Sequence, residues 1–384
     1  MGNTKANKHI GLILSGGGAR AAYQVGVLKA IATIVPRNYG IPFPIVSGTS
    51  AGAINSTALA CYASCYHLGV KKLEWVWRNF TTNQVYRSDF MGASTHLLGT
   101  FFSSSRAEYA NKRASSWFDN NPLRELLTKL LDFKRIDQNI INGYLKAISV
   151  NTSSYTTAES VCFFQAKKDI QTWQRSRRRG QKSMINVEHL MASAAIPMVF
   201  PSIQIQHEHF GDGSLHQLAP LSPPVHLGAN KILIIGLSQR KSPVNNASTQ
   251  NNPPKTGAII GHLLDTIFNE ALNSDLERLH RINSTLDNIE IDKRETLGLR
   301  KIETLQITPS ENFNTIASKH YDKMPYAIRT LLKTLGISSK TESSIISYLL
   351  FEKSYTQELI DLGFKDGMDR IEEIKAFLEI DKSL

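Results

Sequence analysis

No aspartate or glutamate occurs before Glu74 in this chain of 384 residues. A dinucleotide-binding unit needs an acid about 20 residues past its glycine loop to hold the ribose, so a glycine loop in this stretch lacks its partner for that role. Cysteine is scarce. Cys61, Cys65 and Cys162 are too few and too ill-spaced for a disulfide framework or a zinc knuckle. They read as reduced core thiols, which points to the cytosol. Apolar runs stay far below the ~18 residues of a membrane span. The polar start, Met1 to Lys8, followed by the short run Ile10–Leu14, does not make a signal peptide. No group of His, Cys, Asp or Glu has metal-ligand spacing, so no metal or cofactor is expected.

Apolar residues make up 41% of the chain and charged residues 20%, which suits a packed core and argues against disorder. Lysine and arginine number 44 against 33 acids, a net charge of +11. The excess is uneven: residues 352–384 hold nine acids and five bases, leaving 39 bases and 24 acids in the body. A basic body suggests an anionic partner. Lys167–Lys182, with seven bases and one acid, is the densest stretch. Its Arg175, Arg177, Arg178 and Arg179 are candidates for peripheral contact with an anionic membrane surface. No nucleic-acid-binding motif accompanies the charge, so no nucleic acid is expected.

The hydrophobic pattern predicts strand, glycine turn and helix twice in the first 66 residues. Ile10–Leu14 leads into Gly16-Gly17-Gly18 and a helical stretch to Ile34; Ile45-Val46 leads into Gly48-Thr49-Ser50-Ala51-Gly52 and a helix to about Tyr66. Two such units argue for an α/β fold with a parallel sheet. Tyr144–Val150, Val161–Gln165, Lys231–Leu237 and Ile302–Ile307 read as further strands. A catalytic core over 8–237, a linker or loop over 238–256 and a mostly helical region over 257–384, packed on the same domain, is the expected organisation. Leu97, Leu98, Phe101 and Phe102 are candidates for a lid or a buried loop.

Gly48-Thr49-Ser50-Ala51-Gly52 fits Gly-x-Ser-x-Gly between a strand and a helix, the context of a nucleophile elbow. Small flanking residues permit the tight turn, and the helix N-terminus favours developing negative charge at Ser50. Successive glycines at 16–18 allow backbone N–H groups to converge on one point, as an oxyanion hole requires. No lysine of a phosphate-binding loop follows them. Since residues 1–73 hold no carboxylate, the base for Ser50 lies later in the chain. Asp212, in Gly211-Asp212-Gly213, is the candidate; His207, His209 and His216 nearby leave a Ser–Asp–His triad open.

Together these segments resemble the patatin-like phospholipases. The glycine loop with Arg20, the Ser50 elbow, Ala192-Ser193-Ala194-Ala195-Ile196-Pro197, Phe200-Pro201 and Asp212-Gly213 occur in that family's order, over about residues 8–237. The continuation resembles the longer bacterial cytosolic members. The resemblance implies a three-layer α/β/α fold with a mostly parallel central sheet and a helical C-terminal extension. It implies a Ser–Asp dyad without histidine: Ser50 as nucleophile, Asp212 as base, and Gly16, Gly17, Gly18 with Arg20 as the oxyanion loop, with Gly48, Gly52 and Gly213 flanking the reacting groups. Ala21, Met198-Val199, Ser202 and Ser214 depart from the usual pattern without removing a reacting group.

The expected function is therefore a cytoplasmic serine acyl hydrolase, peripheral at the inner face of the membrane, cleaving fatty-acyl esters of phospholipids or lysophospholipids. The rivals are an acyltransferase using the same dyad, a non-catalytic membrane-binding regulatory module, and a nucleotide-binding protein without the ribose acid.

Overall fold

The structure, a computed structural model, describes residues 9–87, 116–239, 256–290, 293, 298–334, 336–337 and 343–380. Leu97, Leu98, Phe101 and Phe102 lie outside these residues, as does most of the stretch read as a linker, 238–256.

The centre is a sheet of strands β1 (Ile10–Leu14), β2 (Ile45–Thr49), β3 (Ala147–Ser154), β4 (Ser160–Ala166), β5 (Trp173–Arg175), β6 (Arg178–Lys182), β7 (Ile203–Ile205), β8 (Glu208–Asp212), β9 (Lys231–Ile235) and β10 (Glu303–Ile307). Its main path runs β10-β9-β1-β2-β3-β4-β6-β5, and β8, paired with β7, joins the end of β3. The five strands from β10 to β3 are mutually parallel. β4 turns antiparallel to β3, and β8 also meets β3 antiparallel, with Asp212 opposite Thr152.

A parallel block must be covered on both faces, and the side chains show it. Successive residues of a strand point to opposite faces. Leu12, Leu14, Val46, Leu233 and Ile235 enter one apolar cluster; Ile13, Ile45, Ile232 and Ile234 enter the other. The first face is covered by helices α1 (Ala22–Ala32), α2 (Ala51–Cys61) and α3 (Tyr66–Arg78), and beside them by α4 (Asn121–Leu130), α5 (Lys134–Ile141) and α6 (Val187–Ser193). α7 (Ser222–His226) and its flanks lie on the second face. So does α9 (Ala271–Asp287), with Leu272, Leu276 and Leu279 inward, whereas α8 (Thr256–Asp265), joined to it by a π-helical turn over Thr266–Glu270, sends Leu264 into the first cluster. The result is three layers, α/β/α, around a mostly parallel sheet. The single helix expected from Ala51 to Tyr66 is instead two, broken after Cys61 where Tyr66 N–H turns to the carbonyl of Tyr39.

The C-terminal helices α10 (Phe313–Lys319), α11 (Tyr326–Thr334), α12 (Ser344–Leu349), α13 (Lys353–Asp369) and α14 (Ile371–Phe377) share the first apolar cluster with α1. α13 lies close against α1: Tyr23 Oη donates to Asp366 Oδ2 at 3.0 Å, buried from water. Asp366 also accepts from Ser310, which follows β10, so one carboxylate ties α1, α13 and the edge of the sheet.

Candidate active site

β2 delivers Ser50 at its C-terminal end, and α2 begins at the next residue. Ser50 has φ 55° and ψ −129°, a conformation rarely adopted outside glycine and costing on the order of 1–3 kcal/mol. Close packing holds it there. A Cβ on Gly48 would fall 2.4 Å from the carbonyl oxygen of Gly52 and from Ser56 Oγ; one on Gly52 would fall 2.2 Å from the Leu14 carbonyl oxygen. Only hydrogens fit at those two positions, so the elbow is pressed onto the end of β1. Polar groups then fix its direction. Ser50 N–H donates to Ser193 Oγ at 2.9 Å, and Ser193 Oγ donates to the Asn151 carbonyl at 2.6 Å. Asn151 Nδ2 reaches the Gly48 carbonyl and Thr49 Oγ1, both at 3.1 Å.

Asp212 ends β8, fully buried, with its own N–H bonded to the Ala195 carbonyl at 2.9 Å. Its Oδ1 accepts the Ser214 N–H at 2.9 Å. Burial pushes the carboxyl up to about 6, against the Ser50 hydroxyl and Ser214, which favour the charged form. Oδ2 takes no well-formed hydrogen bond among the described residues. The Ser50 hydroxyl is thus near enough to favour the carboxylate without closing the bond, as catalytic pairs often stand before substrate tightens them. No histidine is among the described residues that line the cavity at Ser50.

The glycine loop joins β1 to a 3₁₀ turn over Gly18–Ala21. Gly18 has φ 54° and borders the same cavity as Ser50. No described residue accepts from the Gly17 or Gly18 N–H, while Arg20 N–H closes the turn on the Gly17 carbonyl at 3.1 Å. The Arg20 side chain, grouped with this loop by its sequence position, points elsewhere. Its guanidinium is buried and donates to Ser347 Oγ (2.8 Å), Asn314 Oδ1 (2.8 Å) and Asp265 Oδ1 (3.2 Å), with the Tyr348 ring 3.8 Å below. Tyr348 Oη and Ser344 Oγ donate to the same Asp265. Behind the loop, a Cβ on Gly18 would meet the Tyr348 carbonyl oxygen at 2.3 Å. The loop therefore rests on α12, and Arg20 fastens it to α8, α10 and α12.

From Gly18 and Ser50 a cavity runs between α2, α3 and α4. Ile54, Ala58, Leu73, Val76, Trp77, Leu123, Leu127, Phe200 and Phe351 line it, and Lys72 is its one charged wall residue among those described. On the other side of the elbow, Thr49 Oγ1 donates to Gln217 Oε1 at 2.9 Å. Gln217 belongs to the wall of a second cavity, with His216, Arg177 and Arg178. These arginines sit on the β5–β6 hairpin. Arg175 and Arg177 are exposed, whereas Arg179 is tied to Glu159 and Glu208, each at 2.6 Å. Arg179 thus differs from its neighbours: its charge is already matched inside the protein.

The patatin-like phospholipase family model matches residues 12–225, more than half of the chain. The chain belongs to the patatin-like phospholipase family. Among curated proteins, it is 47% identical over 53 residues to a lysophospholipase of Aspergillus terreus, 14% of this chain and 3% of that one. It is 39% identical over 66 residues to patatin-like phospholipase domain-containing protein 7 of Rattus norvegicus, 17% of this chain and 4% of that one. The matched stretches thus span only 3–4% of these relatives' length. Among solved structures, VipD of Legionella pneumophila aligns over 95% of this chain and 67% of its own, at 13% identity and a TM-score of 0.39.

In this patatin-like chain the motif residues Ser50 and Asp212 lie together, with Gly18 at the same cavity. Sequence reasoning missed the groups behind them. Asn151 and Ser193 join the elbow to β3 and α6. Their signal was the polar run Asn151-Thr152-Ser153-Ser154 on a strand, all of it buried. Buried polar residues hold such positions because each finds a partner. Among the described residues, no helix is long and apolar enough to cross a membrane.

Proposed function

We propose that this patatin-like protein is a serine acyl hydrolase that cleaves fatty-acyl esters of phospholipids or lysophospholipids through an acyl-Ser50 intermediate. The observation that carries the reading is a serine on a strained elbow beside a buried carboxyl, at the end of an apolar cavity. A cavity lined by leucine, isoleucine and aromatic side chains suits an acyl chain, whose burial is worth about 0.8 kcal/mol per methylene. The serine at its end meets the ester carbonyl.

Ser50 Oγ attacks that carbonyl, and Asp212 takes the hydroxyl proton. An ordinary aspartate is a feeble base; one raised to about 6 is better matched to the task and still mostly ionised at neutral pH. The oxyanion falls to the Gly17 and Gly18 N–H groups, which have no partner among the described residues. Asp212 returns its proton to the leaving alcohol. Water, deprotonated by Asp212, then attacks the acyl-serine and frees the fatty acid. Arg20 serves this scheme by holding the loop rather than by touching the oxyanion. The exposed Arg175 and Arg177 support contact with anionic lipid surfaces.

A fluorophosphonate probe bonds only to an activated serine. Labelling of the wild-type chain that disappears in both Ser50→Ala and Asp212→Asn, with fatty acid released from lysophospholipid by the wild type alone, is the expected result. Labelling that survives Ser50→Ala would sink the assignment.

A further inference from the structure

The hairpin cavity holds positive charge that the protein does not match. Arg178 lies in its wall with a buried Nε that has no hydrogen-bond partner among the described residues. An arginine Nε–H is an obligatory donor, and a buried donor without an acceptor is costly to keep. His216, across the same space, has a buried Nδ1 in the same condition. Arg177, exposed at the hairpin corner, completes the rim and forms no ion pair among the described residues. Its charge, after burial, holds His216 below its ordinary pKa, which places the two groups within reach of each other.

The surroundings add to the excess. Burial first, then Arg175, Arg178 and Arg300, keeps His226 neutral beside Trp173. Asp275, on α9, lies within Coulombic reach of Arg178 and offsets part of its charge, but it forms no ion pair with it, and its Oδ2 accepts the Leu221 N–H. Arg179 is spent on Glu159 and Glu208. What remains is a pocket whose wall holds Arg177, Arg178 and His216 beside Gln217.

We infer that this pocket, through Arg177, Arg178 and His216, binds a phosphate ester. Gln217 accepts from Thr49, the residue before Ser50, so the pocket and the acyl cavity flank one serine. A lysophospholipid carries its phosphate one glycerol unit from its ester. With the acyl chain on one side of Ser50, the phosphate falls on the other. This step rests on the hydrolase reading for the identity of the lipid, but the pocket itself does not. A free phosphate ester has the same chemistry and would occupy it as an effector.

The test has a binding arm and a kinetic arm, both on the full chain. Isothermal titration with inorganic phosphate and with glycerol 3-phosphate, at matched ionic strength, is expected to show binding by the wild type. Arg177→Gln and Arg178→Gln each weaken it, by about tenfold to hundredfold, the worth of a charge-assisted hydrogen bond. Arg175→Gln, exposed and outside the pocket wall, leaves it unchanged. Arg177 is itself exposed, so its variant keeps the fold if Arg178→Gln does not. Equal affinity in all four proteins, or no binding at millimolar phosphate, overturns the proposal.

The kinetic arm assigns the source. If the substrate headgroup is the ligand, Arg177→Gln raises KM for a lysophospholipid by a similar factor and leaves KM for the monoacylglycerol of the same chain unmoved. If a free ester is the ligand, glycerol 3-phosphate changes monoacylglycerol turnover in the wild type and not in the variant. Failure to cleave any ester would defeat the hydrolase reading while the binding arm still decides the pocket.

Discussion

Two cavities flank the same elbow and differ in charge. The one that opens on Ser50 is walled by leucine, isoleucine and aromatic side chains from α2, α3 and α4; the one behind Thr49 sets Arg177, Arg178, His216 and Gln217 beside Trp173, Leu218, Ala219 and Pro223. The two lie on different faces of the sheet, because alternate residues of one strand supply different sides. Val46 enters one apolar cluster and Ile45 the other. On the proposed reading, an α/β sheet would thus sort the two ends of an amphiphile without a dedicated domain for either, with Ser50 at the seam.

The strongest way to break the comparison is at the seam itself. Asp212→Asn should lower kcat on the order of 10⁴-fold, measured with a soluble ester, by removing the base for both halves of the reaction. The same substitution should raise stability. A carboxyl at about 6 in the fold and near 3.8 unfolded binds more protons when native, so stability falls as pH rises from about 4 to 6. At neutral pH the charged Asp212 costs about 3 kcal/mol by this linkage, and the amide relieves it. Thermal unfolding at pH 7 and pH 4 tests this: the variant should gain at pH 7 and lose its advantage at pH 4. The wild-type rate should fall below pH 6 as Asp212 takes up its proton.

Next comes the apolar side. Ala58→Trp, on α2 in the cavity wall, should cut kcat/KM for long-chain esters by about 10²-fold and leave acetyl esters within a few-fold. Loss of both alike would show that the chain runs elsewhere. A smaller effect is expected behind the glycine loop. Asp265→Ala removes one of the groups that hold Arg20 and should lower stability by about 2 kcal/mol. It should also lower kcat with KM unmoved, because the loop, not the substrate pocket, loses its support. The smallest effect belongs to the hairpin. Glu208→Gln weakens one ion pair of Arg179, with at most about 1 kcal/mol in stability and no change in turnover.

The placing of Ser50 on an elbow was legible because the turn demands local residue types. An elbow needs glycines two before and two after its serine, and Gly48 and Gly52 stand there with no room for a Cβ. The unbroken apolar runs in Ile10–Leu14 and Lys231–Ile235 likewise declared buried parallel strands. Other features left no local trace. Arg20 looked like part of the loop because it follows Gly18; its partners Asp265, Asn314 and Ser347 come from residues far along the chain. The apolar cavity draws on α4 and on Phe351, and amphipathic spacing shows only that a helix buries one side, not that the space beside it stays open. The basic stretch announced its charge but not its pairing, since Glu159 and Glu208 neutralise Arg179 while Arg177 and Arg178 form no ion pair among the described residues.

The support beneath Gly18 has a consequence in time. Synthesis proceeds from the N-terminus, and the elbow and Asp212 emerge from the ribosome well before α12 does. Until Tyr348 arrives, the glycine loop has no floor, and until Ser347 arrives Arg20 lacks an anchor. A chain made only as far as Asp212 therefore carries Ser50, Asp212 and a glycine loop that still lacks its support.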